Sequence, residues 1–246
     1  MKGVILAGGL GTRLMPLTSI TNKHLLPVYD QPMIYYPIQT LVEAGIKDIM
    51  LVTGGNNAGD FLRLIGNGSE FGLKHMNYTY QKREGGIAEA LGLCRHFVGD
   101  DKVVVMLGDN ILDGSIKKAV EDFKRQPVGA KIFLKAVPNP REYGVAELQG
   151  HLVRNIVEKP KHPKSRYAVI GIYMYDPQVW DIIGTLKPSG RGELEITDVN
   201  NEYIKKGQMT FEVIKCWWGD AGSSIEDLWR VNNYIGSRMR KKNKTG

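Results

Sequence analysis

The chain has 246 residues, 42% of them apolar and 24% charged, with a formal net charge of +7. That length can bury a sizeable core in one large or two small domains, and the composition is that of an ordinary soluble globule. A membrane-spanning protein is excluded, because no apolar stretch approaches the roughly 20 residues needed to cross a bilayer.

The positive charge does not argue for nucleic acid. Arg238, Arg240, Lys241, Lys242 and Lys244 crowd the last nine residues, and the rest of the chain carries 28 basic against 26 acidic groups. No aromatic residue interleaves with this tail, so it reads as a solvated end. Cys94 and Cys216 are too few and too far apart for a disulfide framework or a zinc site, which fits a reduced, cytoplasmic protein. Met1-Lys2 runs straight into a strand, so no signal peptide is expected.

In chain order, the apolar run Val4-Ile5-Leu6 has strand length and breaks into Gly8-Gly9-Leu10-Gly11-Thr12. These glycines free the backbone to bring its N–H groups close to a bulky anion, and Arg13 and Lys23 follow as phosphate-binding cations. The loop is not a Walker motif, since Gly11 is followed by Thr12-Arg13. It is not a dinucleotide fingerprint either, since the third glycine would fall at Leu14. Ile34, Ile38, Leu41 and Val42 repeat at helical spacing up to Gly45. Strand 49–53, helix 58–65, strand 77–81, helix 87–97 and strand 103–107 then alternate. That alternation predicts an α/β fold with a doubly wound, mainly parallel sheet.

Beyond Arg125 the pattern changes. Segments 131–137, 144–148, 152–158 and 168–175 read as strands separated by Pro, Gly and Asn, which predicts a mixed, more antiparallel part of the sheet with a partly separate lobe. Helices 178–186 and 196–205, strand 210–215 and a final helix 223–239 complete the chain.

Ligands of an open parallel sheet lie beyond the carboxyl ends of its strands. Both the glycine loop and Asp109 follow such ends, which places Asp109 to hold Mg²⁺ against phosphate oxygens. Asp220, in the turn Trp218-Gly219-Asp220-Ala221-Gly222, offers a second carboxylate, although either aspartate alone is equally suited to cap a helix or close a turn.

LAGGLGTRLMPLT at 6–18, NKHLLP at 22–27, GGIAEA at 85–90, LGDN at 107–110, YGVAE at 143–147, EKP at 158–160, GIYMYD at 171–176, RGELEITD at 191–198 and WWGDAG at 217–222 recur in one order along nearly the whole chain. This set resembles the sugar-1-phosphate nucleotidyltransferases, and most closely the branch that transfers thymidylyl groups to glucose 1-phosphate. The resemblance implies a Rossmann-like nucleotidyltransferase fold in a single domain over 1–246, with a nucleotide-binding half at 1–126, a sugar-phosphate-binding half at 127–222, and a C-terminal helix and tail at 223–246. It also implies that Leu6, Gly8, Gly9, Gly11, Thr12, Arg13, Lys23, Gln81, Gly86 and Asp109 meet dTTP, with Gln81 and Gly86 reading the pyrimidine edge. On the sugar side it implies Asn110, Tyr143, Gly144, Glu158, Lys159, Val169, Gly171 and Arg191. Asp109 and Asp220 would be the metal ligands, and these two with Arg13, Lys23 and Lys159 the catalytic set. His24 stands where many members carry glutamine.

The implied reaction is Mg²⁺-dependent transfer from dTTP to glucose 1-phosphate, giving dTDP-glucose on the way to dTDP-rhamnose and other deoxysugars. UTP or CTP in place of dTTP is the alternative within the class, and a non-catalytic nucleotide or sugar-phosphate sensor the alternative outside it. A homo-oligomer is implied, with neither nucleic acid nor membrane as partner. Longer members add helices that form an effector site, so this chain is expected to lack that pocket or to build it differently.

Overall fold

The computed structural model describes residues 1–245; the side chains of Asn56 and of residues 242–245 lie outside the description. In chain order the elements are β1 (Lys2–Ala7), the short pair β2 (Pro27–Val28) and β3 (Gln31–Pro32), α1 (Tyr35–Glu43), β4 (Asp48–Gly54), α2 (Ala58–Ile65) and β5 (His75–Gln81). Then come α3 (Ile87–Gly92), α4 (Arg95–Val98), β6 (Val103–Leu107), β7 (Asn110–Leu112), α5 (Lys117–Arg125), β8 (Ala130–Ala136), β9 (Gly144–Gln149), β10 (Leu152–Glu158) and β11 (Tyr167–Tyr175). The chain closes with α6 (Val179–Thr185), α7 (Ile196–Lys205), β12 (Met209–Val213), β13 (Trp218–Asp220) and α8 (Ile225–Thr245).

Among the described residues nine strands form one mixed sheet. β6, β1, β4 and β5 lie side by side and parallel, with Leu6 opposite both Val52 and Leu107. This register brings the glycine loop and Gly108-Asp109 out at the same sheet edge, where the Gly108 N–H donates to the Leu6 carbonyl at 2.9 Å. Alternate β1 side chains enter opposite cores: Val4 and Leu6 pack under α3, α6 and α7, whereas Ile5 and Ala7 pack under α1, α2 and α5. Both faces are therefore covered, as a central parallel strand with an unbroken apolar run requires.

The antiparallel part hangs on β11. Its first half, Ala168-Val169, pairs with β9, and its second half, Ile172 to Tyr175, pairs with β6, while β8 runs along its other edge. Pairing with β8 shifts register between Val169 and Tyr173. The bulge exposes the Gly171 N–H, which donates to Asn110 Oδ1 at 3.0 Å. The sheet thus forks where its parallel and antiparallel parts meet.

Three sequence expectations need correction. The helix expected over 87–97 is interrupted after Gly92, a residue that weakens a helix interior, and resumes as α4. Segment 117–125, given no element from sequence, is α5, which buries Ala119, Val120 and Phe123. The basic end is not merely a solvated tail: α8 continues to Thr245, Arg238 pairs with Asp113, and Arg240 Nε donates to the Gly236 carbonyl at 3.2 Å. The side chains of Lys242 and Lys244 lie outside the described residues. No helix among the described residues is long and apolar enough to cross a membrane.

Candidate active site

The glycine loop turns at Gly11, whose φ of 70° favours a residue without Cβ, and Thr18 Oγ1 donates to its carbonyl at 2.8 Å. Leu14, where the fingerprint would want glycine, is instead fully buried in the small core beneath α8. Lys23 opens a single helical turn capped by Asn22, whose Oδ1 accepts from the His24 N–H at 3.0 Å. That cap aims Lys23 Nζ at Asp109 Oδ2, 2.6 Å away, with both side chains only about a tenth exposed. Asn110 Nδ2 donates to the other Asp109 oxygen at 3.1 Å.

Asp220 faces this pair from the opposite wall. Its Oδ1 accepts from the Gly222 N–H at 2.9 Å and its Oδ2 from Ser223 Oγ at 2.7 Å. The turn after it passes so close that a Cβ on Gly222 would lie 2.2 Å from Asp109 Oδ2 and 2.7 Å from Lys23 Nζ. Burial and the nearby Asp109 push the Asp220 carboxyl up to about 6. Burial also works against the Asp109 charge, but the Lys23 ion pair and the hydrogen bonds from Lys23 and Asn110 outweigh it and hold Asp109 well below the usual carboxylate range. Burial and the adjacent Lys23 push His24 down to about 3, so its imidazole is neutral, with Nδ1 2.7 Å from Asn22 Oδ1.

Two adjoining cavities open from this centre. The first, about 320 Å³, is walled by Gly8, Gly9, Arg13, Lys23 and Asp109 toward the glycine loop, and by Leu6, Gln81 and Gly86 deeper in. Gln81 Nε2 donates to the Gly86 carbonyl and to Glu89 Oε1, both at 3.3 Å. Gly86 has a φ of 95°, and a Cβ there would meet the Leu194 carbonyl at 2.5 Å. Gly11 and Thr12, predicted to touch nucleotide, shape the loop but do not wall this cavity.

The second cavity, about 270 Å³, is walled by every predicted sugar-side residue: Asn110, Tyr143, Gly144, Glu158, Lys159, Val169, Gly171 and Arg191. Lys159 takes a φ of 43°, a left-handed conformation that is costly for a residue with a side chain and is held by its N–H donating to the Tyr143 carbonyl at 3.0 Å. Arg191 is gripped rather than free: its guanidinium donates to both oxygens of Glu195 at 2.9 Å and lies 3.7 Å from Glu158. Asn110 Oδ1 is taken up by the Gly171 N–H and by Trp218 Nε1.

Arg13, Ile87, Leu107, Glu193 and Asp220 wall both cavities. Sequence reasoning missed Ile87, Leu107, Glu193, Glu195, Thr197 and Asn200. Ile87, Leu107, Glu193, Glu195 and Thr197 lie inside motifs quoted from the sequence, GGIAEA, LGDN and RGELEITD, whereas Asn200 lies outside them. Size does not mark the site, because a larger cavity, about 770 Å³, lies between α4 and α6 and includes none of the predicted residues.

An open mixed sheet with a glycine loop, a buried Lys–Asp pair and a second acid at its strand ends is the arrangement of a nucleotide-handling transferase. Residues 2–238 match the family described as "Nucleotidyl transferase", and the chain belongs to that family. Among its relatives, glucose-1-phosphate thymidylyltransferase of Mycolicibacterium smegmatis is 46% identical over 96% of this chain and 82% of its own. The protein of the same name from Neisseria meningitidis is 44% identical over the same shares. A crystal structure assigned as a glucose-1-phosphate thymidylyltransferase from Bacillus anthracis, in complex with a sucrose, superposes with a TM-score of 0.91 at 51% identity, covering 95% of this chain and 94% of that one. UDP-glucose pyrophosphorylase complexed with UDP-glucose shares the fold at a TM-score of 0.84 and 24% identity, over 96% of this chain and 98% of its own.

Proposed function

We propose that this chain transfers a thymidylyl group from dTTP to α-D-glucose 1-phosphate, yielding dTDP-glucose and pyrophosphate. One observation carries the reading: two adjoining cavities, one with Gly8, Gly9, Arg13 and Lys23 in its wall and the other with Asn110, Glu158, Lys159 and Arg191, share a wall at Arg13 and Asp220 beside the buried Lys23–Asp109 pair.

In this reading the triphosphate lies along Gly8, Gly9 and Arg13, with the base between Leu6, Gln81 and Gly86. Glu158 meets the sugar hydroxyls, and Lys159 and Arg191 hold the sugar phosphate. An oxygen of that phosphate attacks the α-phosphorus, and the bond from the α-phosphorus to the oxygen bridging toward the β-phosphorus breaks as pyrophosphate leaves. The nucleophile is already anionic at neutral pH, so no general base is needed. The protein's work is to align two mutually repelling anions and to neutralise their charge. Arg13, between the two cavities, and Lys23, at the foot of the first, carry that neutralisation.

Mg²⁺ suits the donor set. No group of three or more His, Cys, Asp or Glu residues among the described ones is arranged to hold a metal ion. Two carboxylates, Asp109 and Asp220, remain, and phosphates and water commonly complete Mg²⁺ coordination around such a pair. Burial first, and after it the nearby Asp109 charge, raise the Asp220 carboxyl, and a dication would relieve the repulsion between the two acids. When bound, the ion supplies charge neutralisation at the reacting phosphates.

The test is a matrix of nucleoside triphosphates against sugar 1-phosphates with Mg²⁺, read by pyrophosphate release. The dTTP and glucose 1-phosphate cell is expected to dominate, with UTP as the next nucleotide because a methyl group gives only about 1–3 kcal/mol of discrimination. Binding without pyrophosphate release in any cell would make the chain a sensor instead.

A further inference from the structure

Asn200, on α7, is 1% exposed and yet forms part of the sugar-side cavity wall. Its Oδ1 accepts from the Tyr175 hydroxyl at 2.7 Å. Its Nδ2 is the one fully buried side-chain polar atom among the described residues that has no hydrogen-bond partner within the protein. Turning the amide over would leave both the asparagine oxygen and the phenolic hydrogen unmatched, exchanging one orphan for two.

The surroundings hold Asn200 in place. Tyr175 sits in a stacked column, 6.2 Å from Tyr173 and 5.7 Å from Tyr203, and the Tyr203 hydroxyl is fixed by Asp176 Oδ1 at 2.7 Å. Burial keeps the Tyr175 phenol protonated and thus a donor. On the same face of α7, one turn earlier, Thr197 Oγ1 donates to Glu158 Oε2 at 2.8 Å and sets that carboxylate in the cavity wall. One helix face therefore positions an acceptor, the Glu158 carboxylate of β10, and carries an unspent donor. An orphaned buried donor is costly and calls for a partner such as a water, an ion or a bound ligand. A sugar hydroxyl, both donor and acceptor, matches that pair.

We propose that Asn200 determines sugar specificity by donating from Nδ2 to one hydroxyl oxygen of the hexose 1-phosphate. This rests on the function proposed above.

The test compares kcat/KM of the wild type and Asn200→Ala at saturating dTTP, with glucose 1-phosphate and its 2-, 3-, 4- and 6-deoxy analogues. Asn200→Ala is expected to lose roughly tenfold or more with glucose 1-phosphate, the effect of one hydrogen bond to a buried donor. It should lose as much with every analogue but one, on which the two enzymes agree within about twofold. An equal loss across the series, as from a buried water or a packing role, overturns the proposal, as does no loss. Should Asn200→Ala not fold, Asn200→Asp keeps an acceptor for Tyr175 and is expected to give the same uneven pattern. A wild type inactive with glucose 1-phosphate would refute the proposed function; an active wild type with an even pattern would refute only the role of Asn200.

Discussion

Replacing Asp109 by Asn keeps the shape of the side chain and removes its charge, which leaves the Lys23 ammonium buried with only an amide oxygen to face. Lys23 is 12% exposed and its Nζ lies 2.6 Å from Asp109 Oδ2. Stranding one member of a buried ion pair costs about 3–5 kcal/mol. The amide oxygen still accepts, and the nearby Asp220 carboxylate also favours the ammonium, so the expected loss is about 2–3 kcal/mol. For a chain of this size that is roughly 4–12 °C in Tm. Adding Lys23→Met removes the stranded charge, so the double variant should melt above Asp109→Asn alone. Activity should not follow stability. Turnover of dTTP with glucose 1-phosphate and Mg²⁺ should fall roughly 10²–10³-fold in the single variant, as for loss of one preorganised electrostatic group, and should fall at least as far in the double. Differential scanning calorimetry and pyrophosphate release measure the two quantities. A single variant within about threefold of wild-type turnover, or a double variant melting below the single, would refute the account.

Three further outcomes follow from the same geometry. Gly222→Ala puts a Cβ 2.2 Å from Asp109 Oδ2, so it should remove most turnover while costing less in Tm than a large core truncation; near-wild-type activity would show that the turn can give way. His24 is held neutral by burial with a pKa of about 3 against an ordinary 6.5. Its contribution to stability is therefore complete above about pH 6.5 and is lost as pH falls from there toward 3. His24→Gln should flatten urea-derived stability over pH 6 to 4 by about 1 kcal/mol per pH unit relative to wild type, and parallel curves would count against it. Lys159→Ala should raise KM for glucose 1-phosphate roughly tenfold to hundredfold, as for a lost charged hydrogen bond, with KM for dTTP unchanged; equal changes in both would deny it a sugar-phosphate role.

The nucleotide side was legible in the sequence because its signals are local. A strand-length apolar run, glycines that need unusual backbone angles and a cation within the next turn lie within a few residues of one another. Asp109 follows an equally plain strand. The sugar side was legible mainly through resemblance. Taken alone, Glu158-Lys159 looks like a solvated strand end, and nothing near Lys159 announces its left-handed backbone. Thr197 and Asn200 enter the cavity because α7 packs against β10, where Asn201 bridges the Ile156 N–H and carbonyl at 3.0 and 2.9 Å. That contact is set by tertiary packing and has no local signature. α5 escaped notice because its three buried residues sit among lysines and acids. α8 runs on past its expected end to Thr245, and Arg238 within it finds Asp113, 125 positions earlier in the chain.

The fork at β11 explains why the two cavities meet at one acid-rich seam. Ile172 to Tyr175 pair with β6, whose end carries Asp109, and Ala168-Val169 pair with β9, which begins beside Tyr143 and lies opposite Glu158. A single strand thus helps fix a wall of each cavity. Gly171 sits at the step between them, and Asn110, the residue after Asp109, holds that step by accepting from the Gly171 N–H. A Cβ on Gly171 would come within 2.7 Å of both Asn110 Nδ2 and the Leu107 side chain. The closeness of the second cavity to the Lys23–Asp109 pair therefore depends on a bulge narrow enough to need glycine. Widening that step would move the attacking phosphate away from the α-phosphorus even with every charged group still present. Near-attack geometry tolerates little such displacement, so turnover should be lost before either substrate's binding is.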